Sequence, residues 1–426
     1  MPLSSPATDR DPHRWVVFSV ICLIYFFVYF HRVSTSVIVS DLLAAFNTNA
    51  TALGFMSSMY FYIYALNQPI VGYLADRIGP RRVIAYWSMT AAAGCFIFGM
   101  APSIGWASLG RALIGFGVGG VYVPTVKALS QWFREKEFAT MVGLLMSVGN
   151  FGAVVATTPL AWAAGMWGWR PTFFLIGGIT VVMAVVMLTV TRDAPAADGP
   201  EHDAAATPAP SAAGLWRDVA ATLFAAQFWL VAVIFFGIYG TAMALQGLWA
   251  TPFLMTALDI PCILASKINM LIPIGVIVGA PVFGWLPDRF GLDKKNVLVA
   301  LTVVYTLSWS ALIAGFERIG IFGFSVLFFA LGAMIGGFIS VIWGIVRETT
   351  PSERLGLTSG ILNPAPFLGV AAFQIMTGNL LDRAGRVDGL YSLAGFKSAF
   401  LLCLATVAVC LALTFFVKSS RVPVKD

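Results

Sequence analysis

Charge is what this chain has least of. Asp, Glu, Lys and Arg make up 11% of its 426 residues, against 59% hydrophobic residues and a mean hydropathy of +0.85. Soluble chains carry about 25% charged residues, so a set of ordinary soluble domains is excluded. Histidine is nearly absent, at three residues, and the five cysteines (Cys22, Cys95, Cys262, Cys403, Cys410) form no CxxC pair. Neither a metal site nor a disulfide framework can be built from them, and no cofactor is expected. No Ser/His/Asp or paired-carboxylate constellation is visible, which argues against an enzyme. The net charge of +6 sits in short loops with no separate basic block, so nucleic acid is not an expected partner. The first apolar run ends in His31 and Arg32 without a small-residue cleavage site, which predicts a retained helix.

What is present is length without polarity. Apolar runs fall near 15–39, 53–74, 83–101, 107–128, 141–163, 171–191, 228–253, 267–286, 296–315, 321–346, 357–381 and 396–417. Each approaches the roughly 20 residues needed to cross a ~30 Å hydrocarbon layer. The expected fold is an all-α membrane protein of twelve transmembrane helices in two pseudo-symmetric six-helix bundles. Residues 1–191 would form the first bundle and 221–426 the second. The Ala/Pro-rich, acidic stretch 192–220 reads as a flexible cytoplasmic linker with no apolar face. Seventeen basic residues fall on the side of the termini and six on the other, so both termini are expected in the cytoplasm. The lipid bilayer is then the main partner of a monomer lying in the inner membrane.

The two halves share a signal. Gly72-Tyr-Leu-Ala-Asp76-Arg77-Ile-Gly-Pro-Arg81-Arg82 returns 212 residues later as Gly284-Trp-Leu-Pro-Asp288-Arg289-Phe-Gly-Leu-Asp-Lys294-Lys295. Each copy follows the second apolar run of its half, as expected of a duplicated bundle. The first copy resembles the signature loop of the major facilitator superfamily, and the second its weaker repeat. Arg111-Ala-Leu-Ile-Gly115-Phe-Gly117-Val-Gly119 resembles the fourth-helix motif of that family, and Trp132-Phe-Arg-Glu-Lys its fourth-to-fifth loop. The resemblance implies a central cavity, alternating access, and a gating role for Asp76, Arg77, Arg81, Asp288 and Arg289. Asp76 is expected to cap a neighbouring helix N-terminus. A plain topology anchor is the alternative for this loop. The glycines from 115 to 120 lie in an apolar run with no preceding strand, so they predict close helix packing and not a dinucleotide site.

Buried charge carries the functional reading. No Asp or Glu falls within the membrane core, whereas Arg32, Arg111 and Lys127 fall inside apolar runs. A cation there costs about 2.5–3.5 kcal/mol on insertion scales unless it meets water or an anion. Cations without carboxylates point to a small anionic substrate. Tyr25, Tyr29 and Arg32 are spaced by four and three and share one helical face. That face resembles the one used by organophosphate:phosphate antiporters of the superfamily. Those carry further cations on helices 7 and 2, where this chain has an uncharged helix 7 and Gln68. Sugar-acid and organic-anion symporters of the superfamily also place an Arg near the end of helix 1. A monocarboxylate or sugar acid is therefore the expected substrate, with organophosphate exchange as the alternative and a transporter-like solute sensor as the alternative of another class. Further substrate-binding candidates are Tyr60, Tyr64, Asn150, Gln246 and Asn363, which could instead serve interhelical hydrogen bonding, and Arg111 and Lys127. For these two and for Arg32 the alternative is a carbonyl-bonded or interdomain lock residue, and the long Lys127 side chain could also snorkel. His31 is the candidate for coupling to a co-transported proton, the alternative being an outer-half polar residue that helps to orient Arg32.

Overall fold

The computed structural model describes residues 12–193, 212–315, 318–351, 354–387 and 390–419. The first half comprises α1 (His13–Val33), α2 (Val39–Phe46), α3 (Ala50–Ile78), α4 (Pro80–Met100), α5 (Ile104–Gly119), α6 (Tyr122–Trp132), α7 (Glu135–Val155), α8 (Thr158–Trp167) and α9 (Trp169–Val190). The second comprises α10 (Ala212–Leu223), α11 (Ala226–Ala244), a π-helical turn (Leu245–Trp249), α12 (Ala250–Leu258), α13 (Cys262–Asn269), α14 (Leu271–Phe290), α15 (Lys294–Ala314), α16 (Ile321–Thr349), α17 (Leu355–Leu362), α18 (Pro364–Ala384) and α19 (Leu393–Thr414). A two-residue hairpin, Arg386–Val387 with Leu390–Tyr391, joins α18 to α19.

The halves repeat one packing scheme. α1 packs on α7, α3 on α5 and α4 on α9; correspondingly α11 packs on α18, α14 on α16 and α15 on α19. Glycines set the closest approaches. A Cβ on Gly115 would stand 2.2 Å from the Tyr60 carbonyl oxygen, and one on Gly332 would stand 2.0 Å from that of Ile272. Backbones meet there because nothing larger intervenes.

Ten helical stretches among the described residues are long and apolar enough to cross a membrane, or eleven if α7 and α8, bent by 41°, form one span. The expected twelve is not reached because α3 falls outside this set. Its 29 residues include Tyr60, Tyr62, Tyr64, Asn67, Gln68, Asp76 and Arg77, which dilute its hydropathy. The expected linker also differs. Residues 194–211 lie outside the described residues, but from Ala212 the stretch is helical. α10 docks on α17 through Asp218 with Arg354 at 3.0 Å and Thr222 with Thr358 at 3.3 Å.

Two ends of the molecule differ in what joins them. At the far end, away from His13, the halves are bound to each other. Asp382 on α18 accepts from the backbone N–H groups of Ala50 and Thr51, both at 2.8 Å, so one half caps the first turn of α3 in the other. Arg386 donates to the Thr48 carbonyl at 2.6 Å, Ser36 to Thr251 at 3.2 Å, and Ser266 to Thr158 at 3.3 Å. At the near end, ion pairs run within a half. Lys127 meets Asp76 at 2.6 Å and the Ala75 carbonyl at 3.0 Å, while Lys294 meets Asp288 at 3.0 Å and Glu348 at 2.6 Å.

The expected cap by Asp76 is therefore corrected. Its carboxylate is taken by Lys127, and the first turn of α4 is capped by Asp193, which accepts from the Arg81 N–H at 2.8 Å. The Arg81 side chain donates to the Thr191 carbonyl at 3.0 Å, Arg77 lies over the ring of Tyr73 at 5.0 Å, and Arg289 is exposed.

Candidate functional site

α1 stops one residue after Arg32. Ser34, Thr35 and Ser36 follow, and the Ser34 hydroxyl turns back to the His31 carbonyl at 3.3 Å, offering the backbone a partner other than the next helical turn. The Arg32 guanidinium thus sits in a last turn, where the carbonyl ends of the helix favour a cation.

Arg32 is only 5% exposed and bridges the halves. Its Nη2 donates to the Tyr64 hydroxyl at 3.3 Å and its Nη1 to the Tyr239 hydroxyl at 3.4 Å, both long bonds, while Nε has no partner. The rings of Tyr29, Phe367 and Tyr64 flank the guanidinium carbon at 4.3, 5.2 and 5.3 Å. Among the described residues no carboxylate pairs with it. Ring faces stabilise a cation by about 0.5–2 kcal/mol each, but they do not neutralise it. The site holds a positive charge with donor capacity to spare.

The neighbouring tyrosines extend this surface. Tyr25 and Tyr29 lie with ring centres 5.5 Å apart, and Tyr122 packs on Tyr25 at 5.9 Å. Tyr60 stacks on Tyr64 at 6.1 Å, but its hydroxyl is engaged by the Val28 carbonyl at 2.9 Å. The face predicted from the spacing of Tyr25, Tyr29 and Arg32 therefore forms, with Tyr64 beside it and Tyr60 behind.

Other sequence candidates lie elsewhere. Arg111, fully buried, donates from Nη1 to the His31 carbonyl at 3.0 Å and lies 4.9 Å over the Tyr60 ring. It meets the end of α1 from within the first half and supports the turn that carries Arg32. Lys127 is held at the near end by Asp76. Asn150 bonds the Met146 carbonyl at 3.0 Å in its own helix. Gln246 occupies the π-helical turn with its side-chain oxygen unpartnered, and its backbone carbonyl accepts from Asn269 at 3.2 Å. The neighbouring Gly247 lets this turn approach the Arg32 carbonyl, which would be 2.9 Å from a Cβ there. Asn363 separates α17 from α18, one turn before Phe367. His31 lines a small pocket together with Ser88 and Thr180, and its Nε2 lies 3.7 Å from the Cys95 sulfur.

Four residues here have no counterpart among the expected site residues: Tyr122 packed on Tyr25, Tyr239 and Phe367 against Arg32, and Met146, whose sulfur accepts from the Tyr25 hydroxyl at 3.4 Å. Tyr239 lies seven positions before Gln246, so the shared face of that helix was a usable signal. Phe367 and Met146 are apolar side chains in apolar helices, and no pattern distinguishes them.

Comparison with known proteins agrees with this architecture. Residues 21–365 match the profile of the Major Facilitator Superfamily. The chain is 23% identical to a probable sulfoacetate transporter of Cupriavidus necator, over 91% of this chain and 92% of that protein. It is 22% identical to a probable galactarate/D-glucarate transporter of Escherichia coli, over 91% of each. Among solved structures it resembles a bacterial homologue of the lysosomal transporter Spinster in an inward-facing, unoccupied conformation. The TM-score is 0.77 at 16% identity, covering 96% of this chain and 97% of that one. The profile spans well over half of the residues, and the chain belongs to the Major Facilitator Superfamily, as a multi-pass membrane transporter and not an enzyme.

Proposed function

We propose that the protein is a secondary active transporter of a small organic anion, a carboxylate or sugar acid, working by alternating access. The observation that carries this reading is Arg32, a guanidinium buried where the halves meet, ringed by tyrosines and without a carboxylate partner among the described residues. The names of relatives support the class: sulfoacetate and galactarate/D-glucarate above, and D-galactonate for an E. coli protein 22% identical over 92% of this chain. A phosphorylated sugar is the second reading, favoured by probable hexose phosphate transport proteins of Chlamydia at 24% identity. Against it stands α11, which carries no cation to share a dianion with Arg32.

In this reading α3 counts as a span despite its polarity, and twelve spans form two six-helix bundles, 1–191 and 221–426, with both termini in the cytoplasm of a cell whose inner membrane holds the protein. The bonds at the far end then close the outer side. A panel of sulfoacetate, D-galactonate and glucose 6-phosphate, scored by thermal stabilisation of purified protein, separates the readings. Preference for glucose 6-phosphate over both others would overturn the carboxylate assignment.

The near-end pairs act as gates and not as binding groups. Asp76→Asn removes the negative charge that pairs with Lys127 and is expected to slow transport several-fold, leaving equilibrium affinity within a few-fold. Complete loss of binding in folded Asp76→Asn would contradict this. If transport is proton-driven, His31 is the coupling group. His31→Gln should then abolish pH-driven accumulation while sparing exchange, and unchanged accumulation would place coupling elsewhere.

A further inference from the structure

Two tyrosine hydroxyls on α1 share one acceptor, and it is a poor one. Tyr25 donates to the sulfur of Met146 at 3.4 Å and Tyr29 to the same sulfur at 3.7 Å. A thioether is a weak acceptor, and Tyr25, at 2% exposure, has no access to bulk water as a substitute. The arrangement is held in place from α7. Gly149, one turn beyond Met146, lets that helix press on both rings, since a Cβ there would stand 2.8 Å from Tyr25 and 2.9 Å from Tyr29. The Tyr29 ring in turn lies 4.3 Å from the guanidinium carbon of Arg32. Two under-used donors and one under-used cation therefore sit on a single face.

We propose that Met146 determines affinity at this site by holding the Tyr25 and Tyr29 hydroxyls on a soft sulfur, from which the oxygens of an anion seated on Arg32 take them over. The inference rests on the reading of Arg32 as the anion site. Hydrogen bonds to an ionised oxygen are stronger than those to neutral acceptors and far stronger than those to a thioether. The exchange therefore favours a ligand with several anionic or anion-adjacent oxygens, such as a carboxylate bearing a hydroxyl on its neighbouring carbon, or a sulfonate. A neutral polyol gains much less, because its oxygens are ordinary acceptors and Arg32 adds nothing ionic. Met146 acts here through the tyrosines and is a positioning residue.

The two substitutions of Met146 should act in opposite directions. Met146→Leu keeps the volume and deletes the competing acceptor, so binding should tighten roughly two- to five-fold. Met146→Gln supplies an amide oxygen that holds both hydroxyls, so binding should weaken roughly 5- to 30-fold. Both differences should vanish when Tyr25→Phe and Tyr29→Phe are already present, an outcome that a packing role for Met146 would not produce. The measurement is isothermal titration of monodisperse variants with whichever of sulfoacetate, D-galactonate and glucose 6-phosphate binds the wild type. Shifts of the same sign in both variants, or shifts that persist without the hydroxyls, overturn the inference while leaving the Arg32 reading intact. Unchanged binding by Arg32→Ala overturns that reading instead, and absence of binding of all three anions to the wild type overturns both.

Discussion

Arg32→Ala is expected to abolish substrate binding at ordinary concentrations, and Arg32→Lys to weaken it about 10- to 150-fold. The guanidinium has long bonds to Tyr64 and Tyr239, an unpartnered Nε and no carboxylate among the described residues. An anion can take two of its N–H groups at once, a fork that lysine lacks. One lost charge-assisted bond costs about 1.5–3 kcal/mol, which sets the range for Arg32→Lys. Folding should survive both changes, because Arg32 balances no buried acid and its removal leaves only neutral hydroxyls behind. Ligand titration of detergent-purified, monodisperse variants measures this. A folded Arg32→Ala protein that binds as tightly as wild type would make Arg32 a structural tie between the halves.

The second large effect is expected at Gly54. A Cβ there would stand 2.3 Å from the carbonyl oxygen of Gln374 and 2.9 Å from its carbonyl carbon, both backbone atoms of α18. Gly378 makes the reciprocal approach, 2.5 Å from the Ala50 carbonyl oxygen. These contacts lie on the same crossing of α3 and α18 that Asp382 caps. Gly54→Val cannot be relieved by a rotamer change, so it should exclude the closed far end. A bias of about 3 kcal/mol already shifts a two-state population more than 100-fold. Transport should fall to background while binding persists. Cys262 reports on the state directly, because its thiol meets the Val37 carbonyl across the halves at 3.4 Å while Cys22, Cys95, Cys403 and Cys410 are buried. An impermeant maleimide should label Cys262 at least several-fold faster in Gly54→Val. Wild-type labelling and wild-type transport together would contradict a closing role for this crossing.

The sequence is legible where one helix decides the outcome. Tyr25, Tyr29 and Arg32 share a face because 3.6-residue periodicity acts within α1, and the doubled Gly72 and Gly284 loops occupy corresponding places because they follow corresponding helices. The glycines from 115 to 120 packed closely for the reason expected, since Gly115 meets the backbone at Tyr60 and Gly117 that at Trp87. Legibility ends where a second element chooses the partner. Asp76 had a plausible helix to cap, yet Lys127 claimed it and Asp193 took the cap. Arg111 and Arg32 look alike as buried arginines, but one meets the carbonyl of His31 and the other a ring of tyrosines from both halves. α3 escaped the hydropathy criterion because Tyr64 at the junction of the halves, and Asn67 and Gln68 against α5, dilute its apolar character. Phe367 and Met146 look like ordinary core residues in the sequence, and only packing brings Phe367 to Arg32 and the Met146 sulfur to Tyr25 and Tyr29.

Counterflow into proteoliposomes containing only this protein tests the central claim most directly. Vesicles preloaded with unlabelled D-galactonate or sulfoacetate, and diluted into trace labelled solute, should accumulate label transiently with wild-type protein. They should fail to do so with Arg32→Ala, and neutral galactose should give no counterflow in either case. Counterflow of galactose equal to that of the anions, or full anion counterflow by Arg32→Ala, would contradict an anion transporter built around Arg32.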